Sequence, residues 1–97
     1  MENSEIINFY VKYLNENFSR RDFNFNVLPQ GVEEIDSYLI KTKSIFGERS
    51  ERYLKIKDAM NIAKECIARG IVFLPPNIEK SDPDNYISED GNIRIPL

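Results

Sequence analysis

The chain has no histidine, a single cysteine and no long apolar run, and each absence removes a class of function. Without histidine there is no imidazole for general acid or base work and no Cys/His set to hold zinc. The lone Cys66 cannot close an internal disulfide, so a reducing, cytoplasmic setting is expected. No apolar stretch approaches the roughly 20 residues that cross a bilayer. The N-terminal region also lacks the charged start, apolar centre and small-residue cleavage site of a secretory signal. A soluble, non-exported chain with no membrane role is the expectation.

What is present suffices for one small core. The 97 residues are 41% apolar and carry a formal net charge of −3, which predicts a single domain over 1–97 with a narrow margin of stability. Ile7, Tyr10, Leu14 and Phe18 recur at helical spacing, widened by Ile6, Val11 and Tyr13, and Ser4 is placed to cap the first turn. This predicts a helix over about 4–20. Turn-favouring residues from Arg20 to Asn26 break the pattern, and Pro29-Gln30-Gly31 precedes a second stripe through Val32, Ile35, Leu39, Ile45 and Phe46, over about 31–46. After Gly47, Ser50 can cap a third helix over about 50–69, with Tyr53, Ile56, Met60, Ala63 and Ile67 on its apolar side.

The third helix runs into a junction of three unlike local instructions. Gly70 suits a left-handed helix cap, Ile71 to Leu74 suits a buried strand, and Pro75-Pro76 ends the ladder. Further on, segments 86–89 and 92–95 flank Asp90-Gly91, the dipeptide favoured where both central residues need positive φ. A two-residue loop there sets Tyr86 opposite Ile95 and Ser88 opposite Ile93. The hairpin is expected to join the 71–74 strand, because two strands alone are marginal. The fold class is therefore α+β: three amphipathic helices followed by a short strand and a C-terminal β-hairpin, the β element being read as antiparallel.

Candidate chemistry is sparse. Asp82-Pro83-Asp84, with Asp90 not far along, could turn two carboxylates to one side of an extended segment as a Mg²⁺ site would require. The same residues are as well explained by side-chain-to-backbone turns around Pro83, and no metal, cofactor or catalytic residue is expected. Cys66 falls on the inner side of the third helix and reads as a small buried residue rather than a nucleophile. Phe9, Tyr10 and Tyr13 read as core, the alternative being a partner surface on the first helix. Arg20-Arg21 suits either a phosphate or the helix C-terminal dipole.

Charge is distributed more tellingly than its total. Lys41, Lys43, Arg49, Arg52, Lys55 and Lys57 stand against only Glu48 and Glu51 between positions 41 and 57. Such a cluster can neutralise phosphates with a steep salt dependence, and it can equally be a solvated helix-loop-helix surface. No interleaved aromatic for base stacking is expected, since the nearby Tyr53 belongs to the apolar stripe.

The segment from Glu65 to Asp82, with its helix-ending Gly70, apolar strand and Pro75-Pro76-Asn77-Ile78, resembles a passage in bacterial replicative DNA polymerase III alpha subunits. There a helix gives way to Gly, an apolar strand, Pro-Pro-Asp-(Ile/Val)-Asn and Ser. The resemblance extends back through Gly31, Asp22-Phe23-Asn24 and Phe9-Tyr10, in the form typical of the Gram-positive type, and forward through Asp90-Gly91-Asn92 to Ile95-Pro96-Leu97. Asn77 stands where the shorter bacterial form usually has Asp. The resemblance implies a late part of the fingers domain, ahead of a tandem helix-hairpin-helix module and without the palm aspartates of nucleotidyl transfer. It implies a non-catalytic scaffold in DNA replication, partnered by primer-template DNA and the rest of a polymerase chain, and the Lys41 to Lys57 cluster, read from its charge, would serve there as a DNA-backbone contact. The rival reading is a stand-alone protein-interaction module held by the first helix or the hairpin edge.

Overall fold

The computed structural model describes residues 3–19 and 22–97. Arg20 and Arg21 lie outside the described residues, and the first helix, expected to reach about position 20, already ends at Asn17, with Phe18 and Ser19 described and not helical. The order of elements is α1 (Asn3–Asn17), a 3-10 helix (Phe25–Gln30), α2 (Val32–Phe46), α3 (Glu51–Ala68), β1 (Phe73–Leu74), β2 (Ile87–Glu89) and β3 (Asn92–Arg94). The architecture is α+β, three long helices followed by a small three-stranded sheet.

The helices follow the apolar periodicity with instructive exceptions. Ile7, Tyr10 and Leu14 of α1 are buried, and so is Phe18 just beyond it, but Phe9 is 61% exposed and is not core. Ser4 sits inside the first turn rather than capping it, because α1 already includes Asn3. In α2 only Ile35 and Thr42 are buried. Val32, Ile45 and Phe46, expected in the stripe, are exposed, the last two because they lie in the final turn where the chain reverses. Thr42 is tolerated inside because its hydroxyl donates to the carbonyls of Tyr38 and Leu39 at 2.9 and 3.2 Å. Ser50 does cap α3, its Oγ accepting the Tyr53 N–H at 3.1 Å. Tyr53, Ile56, Ala59, Met60, Ala63 and Cys66 form the buried side of α3.

The 3-10 helix, only six residues long, leaves no periodic signature in the sequence. Asn24 starts it by accepting the Asn26 N–H at 3.0 Å, and Phe25, Val27 and Leu28 anchor it in the core. Aromatic rings then run in edge-to-face steps from Tyr13 through Phe18, Phe23 and Phe25 to Tyr86, with centroids 5.1 to 6.3 Å apart. One apolar cluster thus joins the three helices to the sheet.

Gly70, at φ +86°, closes α3 in the left-handed conformation. Its N–H reaches the Ile67 carbonyl at 2.9 Å while the Ile71 N–H reaches Cys66 at 3.0 Å, the paired bonds of a Schellman cap. The strand that follows is shorter than expected, Phe73–Leu74. The hairpin has the expected register, with Ser88 opposite Ile93, and Asp90 and Gly91 both at positive φ.

The sheet is mixed, which corrects the antiparallel expectation. Its order is β1-β3-β2, and β3 pairs parallel with β1 and antiparallel with β2. The loop after Pro75-Pro76 reverses the chain but leaves a strand's width between β1 and β2. β3 fills that slot from the hairpin, so it must run with β1. Two side chains fasten this arrangement. Asn15 of α1 accepts the Tyr86 N–H at 2.7 Å and donates to the Tyr86 carbonyl at 3.0 Å. Arg94 of β3 pairs with Glu89 and donates to the Pro75 carbonyl at 2.8 Å, holding the diproline loop to the hairpin.

Candidate nucleic-acid interface

The basic residues sit where α2 turns back into α3. Gly47, at φ +87°, ends α2 with its N–H on the Lys43 carbonyl at 2.9 Å, and Ser50 donates to the Gly47 carbonyl at 3.0 Å as it starts α3. At the other end of the helix pair, Lys64 meets Asp36 at 2.8 Å. That cross-link between the start of α2 and the end of α3 fixes an antiparallel pair with a compact tip over 43–52.

The structure does not gather all six cations into one patch. Lys41 and Lys43 are two positions apart on α2, as are Lys55 and Lys57 on α3, and such neighbours point to different flanks of a helix. Lys55 turns toward Asp22, 3.8 Å away, in the loop after α1. Lys43 meets Glu48 at 3.5 Å, an exposed pair of little energetic weight. Lys41, Arg49 and Lys57 are exposed and make no ion pair among the described residues. Arg52 lies over the Phe46 ring, its guanidinium carbon 4.8 Å from the centroid. The tip proper therefore carries Lys43, Phe46, Arg49 and Arg52, with Lys41, Lys55 and Lys57 set around it.

Sequence reading missed Phe46 as part of this group. The apolar periodicity puts it in the buried stripe of α2, but it directly precedes Gly47 at the end of the element, where a buried side is hardest to maintain. The structure places it against one of the cations, Arg52.

The remaining candidates resolve into structural roles. The Asp82 Oδ1 accepts the backbone N–H groups of Asp84 and Asn85, both at 2.9 Å, and these bonds hold its carboxyl below the ordinary range. It is the turn-forming arrangement around Pro83, and among the described residues no group of three or more His, Cys, Asp or Glu is placed to hold a metal ion. Asn77 acts similarly, accepting the N–H groups of Glu79 and Lys80 at 2.9 and 3.0 Å. An acceptor oxygen is what this turn uses, and Asn or Asp can supply it equally. Tyr10 is core with its hydroxyl directed outward, donating to the Glu65 carboxylate at 2.6 Å.

Cys66 is fully buried, and burial, reinforced by the charge of Glu65, pushes its thiol up to about 12 from an ordinary value of 9.0. Burial also raises the Tyr86 hydroxyl above its ordinary value of 10.0. Both acids are raised in the folded state, so their contribution to stability is intact below about pH 9 and is lost as pH climbs toward 12. Urea titrations at pH 8 and pH 11 should show lower stability at the higher pH, with part of the loss abolished in Cys66→Ala. The native thiol should resist a disulfide reagent at pH 8 and react fully in denaturing urea.

No protein-family profile matches the chain, and no solved structure matches it. Curated proteins do. The chain is 29% identical over 91 residues to the protein named DNA polymerase III PolC-type of Thermotoga maritima, an alignment covering 94% of this chain and 6% of that protein. It is 27% identical over 84 residues to DNA polymerase III PolC-type of Latilactobacillus sakei, covering 87% of this chain and 6% of the relative. The chain thus spans about 6% of the length of the relatives it matches.

Proposed function

We propose that this chain, which is related to a short segment of PolC-type DNA polymerase III, serves DNA replication as a single non-catalytic domain of the fingers type. It acts as a scaffold and touches the DNA backbone through the α2–α3 tip. The observation that carries this reading is the relation over 94% of the chain, which takes in all three helices and not only the junction at Gly70. The exposed cations at and around the tip give the DNA contact its chemistry, since each phosphate neutralised releases counterions. The setting is cytoplasmic. No helix among the described residues is long and apolar enough to cross a membrane.

The test is binding to primer-template DNA. Replacing Lys41, Lys43, Lys55 and Lys57 together by Gln should weaken it by at least about tenfold at low salt, as expected for the loss of several phosphate contacts. Equal affinity in the two proteins would remove the DNA-contact reading. A second reading, a protein-interaction surface on α1, is favoured by Phe9, exposed and stacked on Tyr13 at 6.4 Å. Neutralising the four lysines would leave that surface intact.

A further inference from the structure

Phosphate contacts do not account for Phe46. It ends α2 one turn after Lys43, remains 37% exposed, and has the Arg52 guanidinium over its ring at 4.8 Å. Beside it Ile45 is 62% exposed. Nearly two-thirds of this large aromatic is covered, with a planar cation over one face of its ring, and the 37% left open at a charged helix-helix turn is not used in packing. That open part is well explained as a stacking platform. A base adds its π-face to the aromatic ring while Lys43 and Arg49, on the same turn, meet the flanking phosphates, and the guanidinium adds a cation–π contribution.

We propose that the Phe46–Arg52 pair is a stacking site for an unpaired nucleobase, so that the tip takes single-stranded DNA in preference to duplex. This rests on the DNA-contact reading above and narrows its ligand. A base inside a duplex is already stacked on both faces and cannot reach Phe46. A single strand offers each base freely, with little dependence on sequence. Base-to-aromatic stacking is worth a factor of about 5 to 150 in affinity per base on removal of the aromatic.

The chain contains no tryptophan, so Phe46→Trp would supply the sole indole emission. Oligothymidine should quench that emission, and an abasic oligonucleotide of equal length and charge should not. In parallel, Phe46→Ala should weaken oligothymidine binding by about 5- to 150-fold with the salt dependence unchanged, and should leave duplex affinity alone. Phe46→Leu, which keeps an apolar side chain, should behave like the alanine variant if stacking is responsible. Equal quenching by the abasic strand, or undiminished oligothymidine binding by Phe46→Ala and Phe46→Leu, would overturn the stacking site. If the four-lysine variant still lost affinity in that case, the backbone contact would stand without it. If the unaltered chain bound neither strand, both readings would fall together.

Discussion

Replacing Asn15 with alanine is expected to cost about 2–4 kcal/mol, from two partly buried backbone groups that each lose a partner worth roughly 1–3 kcal/mol. The reason lies in the hairpin register. Glu89 and Asn92 flank the two-residue turn and form a hydrogen-bonded pair, so alternate pairs along the ladder, including Ser88 with Ile93, are not hydrogen-bonded. Tyr86, two residues before Ser88, therefore directs its N–H and carbonyl away from β3, toward the open edge of β2. The Asn15 side chain supplies both missing partners, at 2.7 and 3.0 Å. Without it, Tyr86 would keep a buried ring packed at 5.1 Å on Phe25 while its backbone went unpaired. Urea unfolding should show a lower midpoint at unchanged m, and Tm should fall by at least about 8 °C. Hydrogen exchange should quicken first at Tyr86. A loss below about 0.5 kcal/mol would mean that water replaces the asparagine and that the clamp is dispensable.

The second large effect is expected at Glu89. Its partner Arg94 is nearly enclosed, with the Arg94 side chain 10% exposed and that of Glu89 21% exposed. Glu89→Ala would leave a buried guanidinium with the Pro75 carbonyl as its remaining partner among the described residues, its Nε being already without one. Breaking such a pair costs roughly 3–5 kcal/mol when fully buried, and the residual exposure of Glu89 points to the lower end, about 3 kcal/mol. The charge, more than the lost contact, is responsible, so Glu89→Ala combined with Arg94→Met should recover much of the loss. Thermal unfolding of the two single variants and the double variant forms a cycle that decides this. A cost under about 1 kcal/mol for Glu89→Ala would class the pair with ordinary surface ion pairs.

These two residues show where sequence reading reaches and where it stops. Ser50, Gly70 and Asp90-Gly91 were legible because each acts within a few residues of itself, through a cap or a required positive φ. The parallel pairing of β1 with β3, the Asn15 clamp and the burial of Arg94 were not, since each joins positions 19 to 71 residues apart and none alters local periodicity. The same division holds at the interface. The run of cations was plain in the sequence, but which of them share a flank depends on helix phase, and the role of Phe46 depends on α2 ending there. The family resemblance, anchored at the junction and extending from Phe9-Tyr10 to Ile95-Pro96-Leu97, agrees with the PolC-type relatives, which align over most of the chain.

The most direct test of the account is the salt dependence of primer-template binding for the unaltered chain and for the variant with Gln at 41, 43, 55 and 57. Plotted as log affinity against log salt, the unaltered chain should give a steep negative slope, and the variant's slope should be shallower by about 0.7–0.9 for each phosphate contact removed. Parallel lines for the two proteins would contradict the account, because they would show that these lysines meet no phosphate.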